Sequence, residues 1–264
     1  MSQDVSAQAS FLDRHHFLLR RLHSLSGIVP IGVFLMFHLF TNMQMAFDTF
    51  QHEVEWIHSL PALLFLEIFG LWLPIAFHAA LGIVYTVSGK SNIRRYRYGD
   101  NIRYTLQRVT GIVALVFIFF HVATLRWGWP VLGEYTPFFA HGYGLDAAGE
   151  IDKAAALIPL STASTVIAIQ AGFIVAALYV LGVASSVYHF ANGLWTAAIT
   201  WGLTISEQAQ RRWGYVCIVL GLALTAFAAI ALGYAFTYQP TEQEWASYQQ
   251  TLEHWVQTGE YPKP

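Results

Sequence analysis

Four histidines lie inside long apolar stretches of this sequence, where ionisable side chains are costly. They are His38, His78, His121 and His189. An imidazole in such a place either hydrogen-bonds a neighbouring group as a neutral side chain or ligates a metal through a ring nitrogen. For a single histidine, the hydrogen-bonding role and the metal-ligating role are equally good explanations. Four of them, each on a different stretch, favour metal ligation.

The composition predicts that these histidines belong to a membrane protein. The chain has 264 residues, of which 55% are hydrophobic and only 11% are charged, whereas soluble domains carry roughly 25% charged residues. Stretches of about 20 apolar residues can cross a bilayer as helices. Five qualify: residues 22–45, 61–87, 104–125, a fourth from about Ser164 past His189, and 213–236. We therefore expect an all-α integral membrane protein, a bundle of five transmembrane helices.

The fourth stretch is ambiguous, because apolar character continues over residues 157–205 and could fill two short spans. The distribution of lysine and arginine favours one span. Five spans place eleven of these residues on one side and three on the other, whereas a sixth span would move Arg211 and Arg212 across. The positive side faces the cytoplasm. The prediction is a cytoplasmic segment 1–20, a transmembrane domain 21–237 and an outer tail 238–264, with residues 193–205 continuing the fourth helix to the cytoplasmic interface.

Several functions are excluded by what the sequence lacks. A net charge of −2 is incompatible with electrostatic binding of nucleic acid. The single cysteine, Cys217, excludes a disulfide framework, an iron–sulfur cluster and covalent c-type haem attachment. No acidic or thiol ligand lies near the four histidines in sequence, so zinc suits them less well than haem.

The depth of each histidine sorts the four into two pairs, at a helical rise of 1.5 Å per residue. His38 and His121 lie roughly 25 Å and 20 Å from the cytoplasmic arginines of their helices, towards the outer side. His78 lies roughly 25 Å from the outer boundary, and His189 is also close to the cytoplasm. We call His78 and His189 the inner pair and the others the outer pair. Two bis-histidine sites stacked across a bilayer predict two b haems that carry electrons.

Neighbouring residues suit haem. Gly82 and Gly193 follow the inner histidines by four residues, which would let a flat macrocycle approach the helix. Haem propionates are anionic, and the predicted contacts are Arg21, His23, Ser24 and Arg108 near the cytoplasmic ends of the first and third helices. The alternative for these arginines is a simple role as membrane-interface anchors.

Glu67 is the other outlier, because it lies seven residues into the second apolar stretch without a basic residue nearby in sequence. A lone carboxyl group in a membrane either forms a structural hydrogen bond or handles protons. We expect Glu67 to exchange protons, with the structural role as the alternative.

The motifs around these residues carry a resemblance to a known family. They are Arg20-Arg21-Leu22-His23-Ser24, Phe37-His38-Leu39, Leu66-Glu67-Ile68-Phe69, Phe77-His78-Ala79, Gln107-Arg108-Val109-Thr110-Gly111, Phe120-His121-Val122 and His189-Phe190-Ala191-Asn192-Gly193. In this order they resemble the dihaem cytochrome b membrane anchors of succinate:quinone oxidoreductases, in particular the five-helix, single-polypeptide type called cytochrome b558. The resemblance covers all five apolar stretches.

The resemblance implies a cytoplasmic flavoprotein subunit with FAD, an iron–sulfur subunit, and a quinone such as menaquinone as redox partners. It implies the same haem ligation, His78 with His189 and His38 with His121. Succinate oxidation in the cell membrane is the expected direction, and an anchor of a quinol:fumarate reductase is the alternative. Two other functions stay open, the cytochrome b of another membrane dehydrogenase and a transporter with a histidine proton relay.

Overall fold

The computed structural model describes residues 11–89, 98–130 and 135–262, and they are mainly α-helical. Five helical segments are long and apolar enough to cross a membrane. We number them spans 1 to 5: Arg14–Phe47, Leu63–Ser88, Asn101–Leu125, Phe173–Thr200 and Glu207–Thr237. Large apolar side chains such as Phe69, Leu181 and Leu222 are exposed on them, as expected where lipid replaces water. The prediction of an all-α, five-span membrane protein is confirmed.

The spans are built from helices with a few interruptions, and shorter elements lie outside them. The helices are α1 Phe11–Ile28 and α2 Pro30–Met43 (span 1), α3 Phe50–His58, α4 Leu63–Glu67 and α5 Leu73–Ser88 (span 2), α6 Gly99–Leu125 (span 3), α7 Ser161–Gln170, α8 Phe173–Thr200 (span 4), α9 Glu207–Thr237 (span 5) and α10 Glu242–Thr258. Two short antiparallel strands, β1 His141–Gly142 and β2 Ile158–Pro159, form a ribbon.

Prolines cause the interruptions in spans 1 and 2. Pro30 follows a break at Val29 between α1 and α2. Pro74 follows a wide π-helical turn, Ile68–Trp72, that joins α4 to α5. Proline lacks an N–H group and its ring clashes with the preceding turn, so a locally altered turn lets each span continue.

Span 4 differs from the prediction at both ends. Ser164 lies in the separate helix α7, and span 4 begins only at Phe173, after a break at Gly172. At the other end the helix stops at Thr200, so the prediction that it continues to residue 205 is wrong. The start of span 4 was predicted too early because α7 is apolar. It is almost entirely buried in protein, and buried and membrane-spanning segments are equally apolar.

A small extramembrane layer, which we call the cap, covers the end of the bundle predicted to face outwards. It consists of α3, residues 135–160, α7 and α10. Its apolar core contains Phe139, Leu160 and Tyr248. Ser247 and Thr251 of α10 are buried and hydrogen-bond the backbone of Tyr143. Helix α10, in the predicted outer tail, is therefore a structural part of the cap.

Side chains of α3 hold the parts of the cap together. The Gln51 amide donates to the Ala140 carbonyl, and its oxygen accepts from the backbone N–H of Ser161. Gln51 also donates to Glu55, which lies 3.1 Å from His141. These hydrogen bonds, that from Gln51 first, lower the pKa of the Glu55 carboxyl group. The cap is thus held by directional polar contacts as well as by its core.

Two apolar clusters hold spans 1, 3, 4 and 5 together. Phe117, Phe120 and Tyr179 of spans 3 and 4 form one buried cluster on the outer side. Phe190 and Leu39 belong to a second cluster, which joins spans 1, 4 and 5. Span 5 contributes apolar packing to both clusters but has no histidine. It supports the four spans that carry the intramembrane histidines.

Candidate functional site

The four intramembrane histidines lie in two pairs inside the bundle. The ring centroids of His38 and His121 are 5.8 Å apart, which joins spans 1 and 3. Those of His78 and His189 are 6.1 Å apart, which joins spans 2 and 4. In both pairs the ring planes are nearly perpendicular. Each pair thus brings together two spans that are not consecutive in the chain.

The spacing fits a single metal ion between the two rings of each pair. Two imidazoles that ligate one metal from opposite sides, through bonds of about 2.0 Å, have centroids roughly 6 Å apart. Within residues 11–89, 98–130 and 135–262, no group of three or more histidine, cysteine, aspartate or glutamate side chains could hold a metal ion. A metal held by only two histidines would need its other ligands from a macrocycle, as haem iron has.

His78 is held by the backbone and side chain of His23 in span 1. Its Nδ1 donates to the His23 carbonyl at 2.9 Å, and the two rings stack with centroids 3.9 Å apart. Because a carbonyl oxygen only accepts, Nδ1 of His78 carries the ring proton and Nε2 keeps its lone pair. Ligating histidines are typically oriented by such a hydrogen bond.

His189 is held in the same way by Gln107 in span 3. Its Nδ1 donates to the Gln107 carbonyl at 2.9 Å, so its Nε2 is again left with a lone pair. The Gln107 side-chain amide returns a hydrogen bond to the His189 carbonyl at 3.1 Å. In both inner histidines a carbonyl of the neighbouring helix therefore leaves Nε2 available as a ligand atom.

The outer pair has different partners, which are side chains. Nδ1 of His121 lies 3.3 Å from the hydroxyl oxygen of Tyr179, a buried residue of span 4. The amide nitrogen of Asn42 lies 3.4 Å from Nδ1 of His38 and also donates to the His38 carbonyl. Phe34 stacks on the His38 ring at 5.2 Å. The two levels thus share the pairing of histidines but not the groups that orient them.

Buried polar atoms without a hydrogen-bond partner occur around His23, whose ring stacks on His78 and contacts Tyr85. Among the described residues they include Nε of Arg21, Nδ1 of His23, Oγ of Ser24 and the hydroxyl of Tyr85. An unpaired buried donor is costly, and these donors match an anionic group such as a haem propionate. Three of the four were predicted for this role, and Tyr85 was not. The residues present therefore fit the predicted cofactor.

Arg108, the fourth predicted propionate contact, has a partner in the chain. Its guanidinium donates to the carbonyl of Tyr85 at 2.9 Å and packs against the backbone of Gly89. It also lies over the ring of Tyr104, 4.1 Å from the centroid. Arg108 thus lies at the Ser88 end of span 2, next to Tyr85.

The glycines near the histidines face side chains of neighbouring helices. A Cβ added to Gly82 would lie 3.5 Å from Cε1 of His23, and one added to Gly193 would lie 3.3 Å from the Gln107 amide nitrogen. Gly27 and Gly111, which precede the outer histidines in sequence, lie against the rings of the inner ones. Sequence spacing within one helix did not indicate these partners, because each contact is between helices.

Glu67 forms an ion pair that the sequence did not predict. Arg126, at the end of span 3, lies 3.1 Å from the Glu67 carboxylate. The Glu67 side chain is 26% exposed and that of Arg126 is 60% exposed, so the pair lies at an accessible edge of the bundle. Trp72 and Trp127 stack beside it, with ring centroids 6.1 Å apart. Glu67 therefore has a charged partner and an aromatic surrounding.

The contacts of the inner pair add functional residues that sequence reasoning missed. The buried Asn192 donates to the Gln107 side chain at 2.7 Å, and Arg103 donates to Asn192 at 2.9 Å. The Arg103 guanidinium also lies 3.6 Å from the ring centroid of Trp195. The available signal was that Gln107 and Asn192 both lie within motifs that carry the family resemblance.

Comparison with known proteins gives one informative match. No protein-family model matches the sequence. The succinate dehydrogenase cytochrome b558 subunit of Bacillus subtilis (strain 168) is 35% identical over 211 residues, which cover 79% of this chain and 92% of that protein. A similarity of this extent spans most of both chains.

Proposed function

Because this chain belongs to the family of succinate dehydrogenase cytochrome b558 subunits, we propose that it carries electrons between an iron–sulfur partner and quinone through two b haems. His78 and His189 hold the inner haem, and His38 and His121 hold the outer one. The observation that carries the proposal is the spacing of the two histidine pairs, 6.1 Å and 5.8 Å. Haem iron with two histidine ligands supplies one-electron redox chemistry.

At the inner pair, the chain holds both histidine ligands in one tautomer. The carbonyls of His23 and Gln107 hold the Nδ1 protons of His78 and His189. Each Nε2 thereby keeps its lone pair for the iron, and the hydrogen bond increases its basicity. A fixed ligand geometry also limits reorganisation when the site gains or loses an electron.

The unpaired donors beside the inner pair serve to bind the anionic edge of the macrocycle. Arg21 supplies charge, and the hydroxyls of Ser24 and Tyr85 supply neutral donors. Charge-assisted hydrogen bonds of this kind are strong where water is excluded. We place the propionates of the inner haem against these groups, with Arg108 adjoining them through its hydrogen bond to the Tyr85 carbonyl.

The partners are a flavoprotein with FAD and an iron–sulfur protein on the cytoplasmic side of the cell membrane. The N-terminus is cytoplasmic and the C-terminus is outside, as the positive-inside rule predicts. Arg20 and Arg21 of span 1 and Arg211 and Arg212 of span 5 belong to the cytoplasmic face. The expected docking face also includes His23 and residues 90–108, of which residues 90–97 lie outside the described residues.

Hydrogen exchange of the whole complex tests this docking face. Partner binding is expected to protect the cytoplasmic ends of α1, α6 and α9, because a protein interface excludes water from their terminal amide groups. The cap, on the opposite side, should exchange as it does in the isolated chain and serves as the internal control. Protection confined to the cap would contradict the proposed orientation.

The quinone site lies beside the outer haem, with Glu67 as its proton carrier. Quinone reduction consumes two protons together with two electrons, so an accessible carboxyl group near the outer side can relay them. The ion pair with Arg126 orients the carboxylate at the edge of spans 2 and 3. We propose menaquinone as the acceptor and succinate oxidation as the direction.

A further inference from the structure

The two inner histidines lie in two interhelical sites of the same design, which we call the ligand cradles. Each cradle has a residue four positions before a glycine on one helix, and a histidine four positions before a glycine on the other. The first cradle consists of His23 and Gly27 in span 1 with His78 and Gly82 in span 2; the second consists of Gln107 and Gly111 in span 3 with His189 and Gly193 in span 4.

The first glycine of each cradle lets the histidine ring lie on the backbone of the neighbouring helix. A Cβ added to Gly27 would lie 2.5 Å from Cε1 of His78. One added to Gly111 would lie 2.8 Å from Cε1 of His189. Real Cβ atoms do not come so close, so even alanine at either position would displace the ring.

The acceptor of each histidine is the carbonyl four residues before that glycine. The hydrogen bonds from His78 to His23 and from His189 to Gln107 both measure 2.9 Å. The second glycine of each cradle makes room in return, because Gly82 faces the His23 side chain and Gly193 faces that of Gln107. Both cradles therefore match in glycine positions, acceptor position and hydrogen-bond length.

The correspondence extends to the outer histidines of the same helices. Phe34 precedes His38 by four residues in span 1, as Phe117 precedes His121 in span 3, and each phenyl ring contacts its histidine. From Gly27 to Phe34 there are seven positions, and from Gly111 to Phe117 there are six. The extra residue of span 1 falls in the stretch that contains the break at Val29. Spans 1 and 3 thus carry the same series of residues at nearly the same spacing: a carbonyl acceptor, a glycine, a phenylalanine and an outer histidine.

Only one cradle position differs in residue type, histidine in the first and glutamine in the second. His23 stacks on His78, with the ring planes 11° apart. The amide nitrogen of Gln107 lies 3.2 Å and 3.4 Å from the two ring nitrogens of His189. Asn192, itself held by Arg103, binds the Gln107 oxygen and so fixes the orientation of the amide.

We propose that His23 and Gln107 are equivalent positioning residues, each of which locks one axial histidine of the inner haem by a flat polar side chain laid against its ring. The inference rests on the proposed function, in which His78 and His189 are the haem ligands. Gly27 and Gly111 complete the cradles, so both serve the inner haem although each shares its helix with an outer ligand.

Substitutions in the second cradle test this assignment in the full chain within its membrane. Gly111→Ala should lose the inner haem and keep the outer one, whereas the control Gly233→Ala, where nothing lies near the added Cβ, should keep both. Gln107→Leu should weaken binding of the inner haem about 10-fold or more, because the loss of groups that orient metal ligands has effects of this size. It should also shift the midpoint potential of that haem. Gln107→His, which copies the first cradle, should restore retention.

The readouts are haem content and a redox titration that resolves the two haems, with the outer haem as internal standard. A Gln107→Leu chain whose inner haem has wild-type retention and potential would overturn the inference, as would Gly111→Ala losing the outer haem alone. Gln107→His that is as defective as Gln107→Leu would also overturn it. Failure of the proposed function is distinct from these results, since the wild-type chain itself would then lack two haems.

Discussion

Replacing His189 with alanine is expected to halve the haem content of the chain, from two haems to one. The outer haem should survive, because His38 and His121 belong to other helices and their rings contact each other rather than His189. His78→Ala should give the same product, because one remaining ligand cannot hold a bis-histidine haem. Pyridine haemochrome analysis counts the haems, and the reduced spectrum identifies the haem that remains.

The identity of the remaining spectrum decides how the four histidines are paired. His78→Ala and His189→Ala should leave one spectrum, and His38→Ala and His121→Ala should leave the other. His52→Ala, an exposed position in α3 outside the spans, is the matched control and should keep both haems. If His38→Ala and His78→Ala left the same spectrum, the proposed pairing would be wrong.

The second large effect is expected from Glu67→Gln. Glutamine keeps the size of the side chain and can still meet Arg126, but it cannot carry a proton. Succinate:menaquinone turnover should fall about 100-fold or more, the range in which a positioned acid–base group contributes. Dye-linked succinate oxidation by the complex and both haem spectra should be unchanged, because the substitution leaves the histidine pairs intact.

Two further variants separate proton transfer from the structural role of the ion pair. Glu242→Gln changes an exposed carboxylate of the cap and should have no effect on turnover. Arg126→Gln breaks the same ion pair as Glu67→Gln but keeps the carboxyl group, so it should retain much more quinone activity. Equal losses for Arg126→Gln and Glu67→Gln would show that the ion pair, and not the proton, is what matters.

Much of the architecture could be predicted because a polypeptide chain can cross a membrane in only a few ways. Apolar length gave five spans, and the distribution of arginine favoured one span over two in the fourth stretch. The cost of an ionisable group in lipid singled out His38, His78, His121, His189 and Glu67. These inferences need only the properties of one helix at a time.

The remaining features depend on contacts between helices, which periodicity does not contain. Arg126 is 59 residues from Glu67 in sequence, so their ion pair could not be seen. Gly27 and Gly111 share helices with the outer histidines but lie against the inner ones. Helix α7 was assigned to span 4 because burial in the cap and burial in lipid select the same residue types. Such features are missed or misassigned where the packing of helices, and not their composition, determines which residues are neighbours.

The most direct test of the account is a reduced-minus-oxidised visible spectrum of the purified full chain, combined with a haem count per polypeptide. We predict b-type absorption bands from two haems per chain, bound without covalent attachment and separable by midpoint potential. A colourless chain, or one that binds a single haem at full occupancy, would contradict the claim that the four intramembrane histidines form two haem sites.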